Sequence, residues 1–348
     1  MIASWGLVGG DGVIGALERA LAADRLPPAM LLTGPAHVGK GTLALALARA
    51  LNCQDEPRPC GECRSCRRIA RGQHADVEVV APGGICRVSD HDHSRSHTIG
   101  ICAVRRMEAA AAMQPYEGCR RVYIIDPADA LTDEAENAFL KTLEEPPPAV
   151  TFLLVTERPA RLHDTVRSRC QEWTLPPLPV ADLAAWLATE RGVDAETATV
   201  LARLADGRVG WAITALDEGD PLEVRRTQAE EVGRILASSC ADRLTYAQSL
   251  AGRGGAEPVN ALNALDHWIA WWRDLLRVVT GAADRITHQN LIAQLRDDAK
   301  RYRPADVVRF LHTLVETREH LRRGVNPRLA LEAMLLQTPP AEGSAYDS

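Results

Sequence analysis

The sequence predicts an α/β protein: a phosphate-binding domain on a parallel five-stranded sheet with helices on both faces, followed by two all-helical regions. Three observations predict it. Short apolar runs alternate with helical patterns through the first half of the chain, the rhythm of a parallel sheet. A glycine loop ending in lysine, Gly34-Pro-Ala-His-Val-Gly-Lys40, sits between one such run and a helix. From Leu175-Pro-Pro-Leu-Pro-Val180 onward strand patterns cease and only helical spacing remains.

The bulk properties set limits. A chain of 348 residues supports two or three domains with their own cores. Its 46% hydrophobic and 25% charged residues are those of an ordinary soluble protein. A net charge of -6 argues against a large nucleic-acid footprint of its own. No apolar stretch reaches membrane-spanning length and no signal peptide is evident, so a cytoplasmic protein without membrane contact is expected. In that compartment nine cysteines, four of them closely spaced, point to metal rather than to disulfides.

In chain order, residues 13–25 have helical spacing and are stopped by Leu26-Pro27-Pro28. The run Ala29 to Leu32 is the first strand, and Leu43 to Leu51 continues the helix after the loop. Between them, Gly34 and Gly39 let backbone N–H groups turn inward around phosphate, and Lys40 adds a positive charge at a helix N-terminus. The position after the lysine wants a Ser or Thr hydroxyl for Mg²⁺. Gly41 stands there, and Thr42, one place late and rotated by about 100°, should point away from the metal.

Cys53, Cys60, Cys63 and Cys66 follow, a spacing suited to one tetrahedral Zn²⁺ closing a module (53–66) too short for its own core. Arg64, Arg67, Arg68 and Arg71 flank it, either as a solvated face or as contacts to DNA or an acidic partner. Asp76 to Val80 reads as a buried strand. Residues 81–100 read as a long loop, in which Asp90, His91, Asp92, His93 and His97 are a weak metal-site candidate of unassigned purpose. A helix is expected from Cys102 to Met113.

Arg121 to Asp126 is an apolar strand ending in an acid, suited to holding Mg²⁺ through water. Pro127 follows, where a catalytic acid would be needed to activate the attacking water. Thr132 or Asp133 caps a helix with Ala135, Phe139 and Leu143 on one face, stopped by Pro146-Pro147-Pro148. Phe152 to Thr156 and Glu172 to Thr174 are the last strands. Gly34 to Gly39, Asp126 and Thr156 thus fall together at the strands' carboxyl ends, where ligands bind in such sheets.

Helices are expected near 181–191, 194–206 and 209–216, then, past Gly219-Asp220-Pro221, near 223–238, 241–252, 257–280, 286–301, 305–323 and 327–336. His267 to Val279 has apolar groups on more than one face and reads as a core helix or, less readily, an oligomer contact. The resulting division is 1–175, 176–220 and 221–337, with a disordered tail from Thr338.

These residues resemble the bacterial clamp-loader AAA+ family of DNA polymerase III, and within it the delta-prime subunits. The resemblance rests on Leu31-Leu-Thr-Gly-Pro35, the four-cysteine insertion and Val122-Tyr-Ile-Ile-Asp126. More specific still are Asn137-Ala-Phe-Leu-Lys-Thr-Leu-Glu-Glu-Pro-Pro147, Phe152-Leu-Leu-Val-Thr156 and Ser168-Arg169-Cys170. It is specific over 1–175 and rests on domain layout beyond. The resemblance implies a helical lid at 176–220, a collar domain at 221–337 that joins five subunits in an open ring, and a nucleotide site between sheet domain and lid. It implies that Gly34, Gly39, Lys40, Gly41, Thr42, Asp126 and Thr156 line that site, with Thr156 sensing the γ-phosphate. It makes Arg169 an arginine finger for a neighbouring subunit's ATP. Gly210 occupies the place of a lid sensor arginine, which Arg208 would have to replace.

With hydroxyl, acid and sensor missing, the implied function is a non-hydrolysing clamp-loader subunit with structural zinc and ATP or ADP bound without turnover. No intrinsic ATPase activity is then expected, although the complex belongs to a DNA-directed DNA polymerase holoenzyme. Its partners would be the gamma/tau and delta subunits, with the sliding clamp and primer-template DNA reached through the complex. Two alternatives stay open: a gamma/tau-like ATPase using Thr42 for the metal and Asp129 as base, and a zinc-dependent nucleic-acid-binding module.

Overall fold

The computed structural model describes residues 5–83, 97–217, 221–251, 259–282, 286 and 291–339. Contacts divide the chain into two units, Met1–Thr214 and Ala215–Ser348. The first contains, in order, α1 (Asp11–Ala22), β1 (Ala29–Thr33), α2 (Lys40–Asn52), α3 (Arg64–Ala70), β2 (Val77–Val80), α4 (Ile101–Ala111), β3 (Arg121–Ile125), α5 (Asp133–Glu144), β4 (Val150–Val155), α6 (Asp164–Arg167) and β5 (Gln171–Thr174). It ends with α7 (Val180–Glu190), α8 (Ala195–Ala205) and the start of α9 (Val209–Asp217).

The five strands form one sheet in the order β2-β3-β4-β1-β5, and every pairing is parallel. Parallel neighbours require crossovers, and the helices between strands supply them on both faces. Side-chain alternation shows this directly. Met30, Leu32, Val122, Ile124, Leu153 and Val155 pack with α1 and α2, whereas Leu31, Tyr123, Ile125, Phe152 and Leu154 pack with α4 and α5. The two central strands β1 and β4 are buried along their whole length, as a sheet covered on both faces demands.

Two readings need correction here. Residues 76–80 do not form a buried strand: β2 is the sheet's edge, Val80 alone within it is buried and Val79 is 53% exposed. An edge strand has one neighbour, so its apolar run is only partly covered. The first helix is Asp11–Ala22 rather than 13–25, because Asp24 takes a left-handed φ of 49° before the prolines are reached.

The second unit is helical throughout most of its described residues: α10 (Pro221–Leu236), α11 (Cys240–Ala251), α12 (Val259–Val279), α13 (Ile292–Ala299), α14 (Pro304–Arg322) and α15 (Pro327–Leu336). Trp268, Trp271 and Trp272 of α12 are almost fully buried among Leu265, Leu275, Phe310 and Leu331, which makes α12 the core helix. The segment expected to be helical from 286 is helical only from Ile292. Ile286 lies outside any helix, as a buried anchor, and 287–290 fall outside the described residues. The tail does not begin at Thr338: that residue is buried and donates to the Leu335 carbonyl, while 340–348 lie outside the described residues. No helix among the described residues is long and apolar enough to cross a membrane.

Candidate functional site

The phosphate loop leaves β1 at Gly34 and enters α2 at Lys40. Gly34 has φ +136°, and a Cβ there would stand 2.3 Å from the Leu175 carbonyl oxygen, so only glycine fits where the β5 exit crosses the loop. Gly39 is the left-handed N-cap of α2. Lys40 is 6% exposed, and its Nζ donates to the Gly34 and Pro35 carbonyls at 2.8 and 2.6 Å. Burial pulls the Lys40 ammonium below its ordinary pKa against the pull of Glu157, Asp126 and Asp129. Burial likewise pushes the Asp126 carboxyl up, against Lys40. The two opposite charges therefore share one poorly hydrated pocket at the ends of β1 and β3.

Asp126 Oδ2 would lie 3.2 Å from a Cβ on Gly41. The carboxylate thus faces a position with no hydroxyl, while Thr42 is exposed. Asp129, the alternative base, is tied down: it accepts from the Thr156 hydroxyl at 2.6 Å and from Arg158 Nε and Nη2 at 3.0 and 2.7 Å. The Thr156 hydroxyl also accepts from the Arg158 backbone N–H at 2.9 Å. Thr156 follows β4, where its backbone N–H donates to the Leu32 carbonyl of β1 at 3.0 Å, and its hydroxyl is engaged twice.

The segment entering α9 closes over the loop. Gly210 N–H donates to the His37 carbonyl at 2.8 Å, and a Cβ on Gly210 would meet that oxygen at 2.9 Å. Arg208 directs its Nε–H to the Ala205 carbonyl at 2.7 Å. Beside the loop, Leu7 to Gly10, Val38, Leu175 to Pro179, Gly207 and Val209 enclose about 80 Å³, well under the 300–1,000 Å³ of usual ligand pockets.

Arg169 follows α6 at the surface. Its Nε donates to Glu144 Oε1 at 3.0 Å, its Nη2 to the same oxygen, and its Nη1 to the Thr165 carbonyl at 2.8 Å. It is far in sequence from the phosphate loop and takes no part in the pocket of Lys40 and Asp126.

The four cysteines come together, with all four sulfurs within 4.8 Å of one another, an arrangement able to hold a metal ion. Cys63 is the N-cap of α3, which is why the module ends in a helix. Backbone N–H groups of Cys60, Cys63 and Cys66 donate to the sulfurs of Cys53, Cys60 and Cys63 at 3.2–3.4 Å. Burial opposes ionisation at Cys63, but the Gln54 and Cys66 amides and the adjoining sulfurs outweigh it and bring that thiol to about 7. Burial pushes the Cys66 thiol far up. Asp90, His91, Asp92 and His93 lie outside the described residues.

Three participants are given no role by the sequence, although Glu144 lies in the Asn137–Pro147 stretch that carries the resemblance. His37 takes a left-handed φ of 61° in the middle of the loop. Arg158 and Glu144 matter only through partners 29 and 25 residues away.

A family model described as DNA polymerase III, delta subunit, matches residues 10–179, and a second, for the C-terminal part of the delta subunit, matches 256–338. The chain is 27% identical over 321 residues to DNA polymerase III subunit delta' of Bacillus subtilis, covering 92% of this chain and 93% of that one. It is 28% identical over 351 residues to the tau subunit of Escherichia coli, covering 95% of this chain but 53% of tau. To the delta' subunit of Escherichia coli it is 31% identical over 326 residues, 92% of this chain and 91% of that one. On that match the chain belongs to the family of DNA polymerase III delta' subunits.

Proposed function

We propose that this chain is a non-hydrolysing subunit of the DNA polymerase III clamp loader, which holds its place in the ring beside gamma/tau and delta subunits and lends Arg169 to a neighbour's ATP. The observation that carries this reading is the equipment of the pocket. Lys40 and Asp126 share it, but Gly41 brings no hydroxyl, Pro127 no acid, and Asp129 already accepts three hydrogen bonds from Thr156 and Arg158. Hydrolysis needs metal, base and charge stabilisation together, and each is worth on the order of 10²–10⁴ in rate. The residues Gly34, Gly39, Lys40, Gly41, Thr42, Asp126 and Thr156 line a place for nucleotide phosphates, ATP or ADP, held without turnover. Sliding clamp and primed DNA are engaged through the assembled complex.

Zinc suits the cysteine module. Four sulfurs each about 2.3 Å from a tetrahedral centre stand about 3.8 Å apart; three of the six sulfur separations are 3.6, 3.9 and 4.0 Å, for Cys66–Cys53, Cys60–Cys66 and Cys53–Cys63, and all lie within 4.8 Å. Cys53, Cys60, Cys63 and Cys66 would hold the ion with no open position, which is a structural site.

Purified chain supplied with Mg²⁺ and ATP tests the reading. Phosphate release should stay at the buffer background. Clear turnover that disappears in Lys40→Ala would instead make the chain a gamma/tau-like ATPase.

A further inference from the structure

The guanidinium of Arg169 is held, and the holder is α5. A solvent-exposed arginine on a flexible stem samples many rotamers, and an isolated surface ion pair is worth only about 0–1 kcal/mol. Here the side chain is fixed at three points instead. Glu144 Oε1 accepts from both Nε and Nη2, and the Thr165 carbonyl accepts from Nη1. That engages three of the five guanidinium N–H groups. The two that remain, one on each terminal nitrogen, meet only the Ser168 hydroxyl at 3.5 Å among the described residues.

The segment carrying Arg169 is tied to α5 at its other end as well. Glu136, 2% exposed, accepts the His163 backbone N–H at 2.7 Å just before α6 begins. Glu136 and Glu144 lie eight residues apart on α5, about 12 Å along the axis. The helix therefore spans the segment from His163 to Arg169 and fixes both ends.

We propose that Glu144 is the positioning residue of Arg169, pre-orienting its guanidinium so that the two remaining N–H groups face a phosphoryl group on the neighbouring subunit. This rests on the reading of Arg169 as a finger in trans. Orientation established before the encounter lowers the cost of reaching the transition state, whereas simple attraction would strengthen ATP binding. The expected signature is thus a change in kcat with KM for ATP kept.

The test is a double-mutant cycle on the complex assembled from full-length subunits, with assembly checked by size-exclusion chromatography. Glu144→Ala should lower kcat for ATP about tenfold, with KM changed less than about twofold. Glu144→Gln, whose amide oxygen can accept the same two N–H groups, should retain most of the turnover. In an Arg169→Ala background Glu144→Ala should have no further effect. If Arg169→Ala lowers kcat but Glu144→Ala does not, or raises it, the positioning role is overturned and the finger stands. A Glu144→Ala effect that persists in the Arg169→Ala background also overturns it, as a purely structural role. If Arg169→Ala itself changes nothing, finger and positioning role fall together.

Discussion

Asp76 shows how much of this molecule is decided by single side chains. Its carboxylate is fully buried and accepts the backbone N–H groups of Tyr116, Glu117 and Gly118 at 2.7–2.8 Å, with Arg121 Nη2 at 3.2 Å. Burial alone would raise its pKa, but these donors outweigh it and hold the carboxyl below its ordinary value. A depressed folded-state pKa gives stability that is present above the unfolded pKa of about 3.9 and is lost as pH falls through the folded value. Asp76→Asn, which removes the charge and turns an oxygen that accepts two of these hydrogen bonds into a donor, is expected to cost about 3 kcal/mol at neutral pH. Thermal melts of both proteins from pH 7 downward should show that gap closing only below about pH 4; a gap independent of pH would contradict the assignment. Residues of this kind were hidden in the sequence, because Asp76 finds its partners 40 to 45 positions away. Lys40 and Asp126 were visible because each belongs to a local pattern of strand, turn and helix. Asp129 looked available for the same reason that Arg158 went unnoticed: a pair 29 residues apart leaves no periodic trace.

Among the elements, periodicity marked what lies in the interior and missed what lies at edges. β1 and β4 are apolar on both faces and legible as strands, although β4 begins at Val150, two residues before the expected Phe152. β2 has a similar apolar run, yet only the sheet order makes it an edge. The start of α13 was misplaced because Ile286 serves as an anchor of the core rather than as the first turn of a helix. The cysteine module shows the opposite case, since metal-ligand spacing is a purely local signal that fold does not alter. With its buried cluster made of its own sulfurs, this module should depend on the metal ion proposed for it. On the zinc reading proposed above, Cys63→Ser, which removes a sulfur at the N-cap of α3, should lower the metal content toward zero and lower the melting temperature. Elemental analysis and calorimetry with and without a chelator check this, and a full zinc complement in the variant would remove Cys63 from the site.

At the scale of the whole molecule, similarity by itself does not choose an activity. The chain is 31% identical to a delta' subunit and 28% identical to a tau subunit, each over more than nine-tenths of its length. The layout of sheet and helices was legible from the alternation of patterns, and the helical second unit from the tryptophan-rich α12. The residues on which the proposed lack of turnover rests, Gly41 and Pro127, were legible as well. The close approach of Gly210 to His37 was not, because it depends on where a distant helix lands. The division of labour proposed above is between a pocket that would hold phosphate and an arginine that would serve another subunit. The measurement that tests it most directly is steady-state ATP turnover by the assembled complex carrying Arg169→Ala in this chain alone. The account predicts a fall in kcat at the neighbouring site of about a thousandfold, the scale of a lost arginine finger; turnover equal to that of the wild-type complex would contradict it.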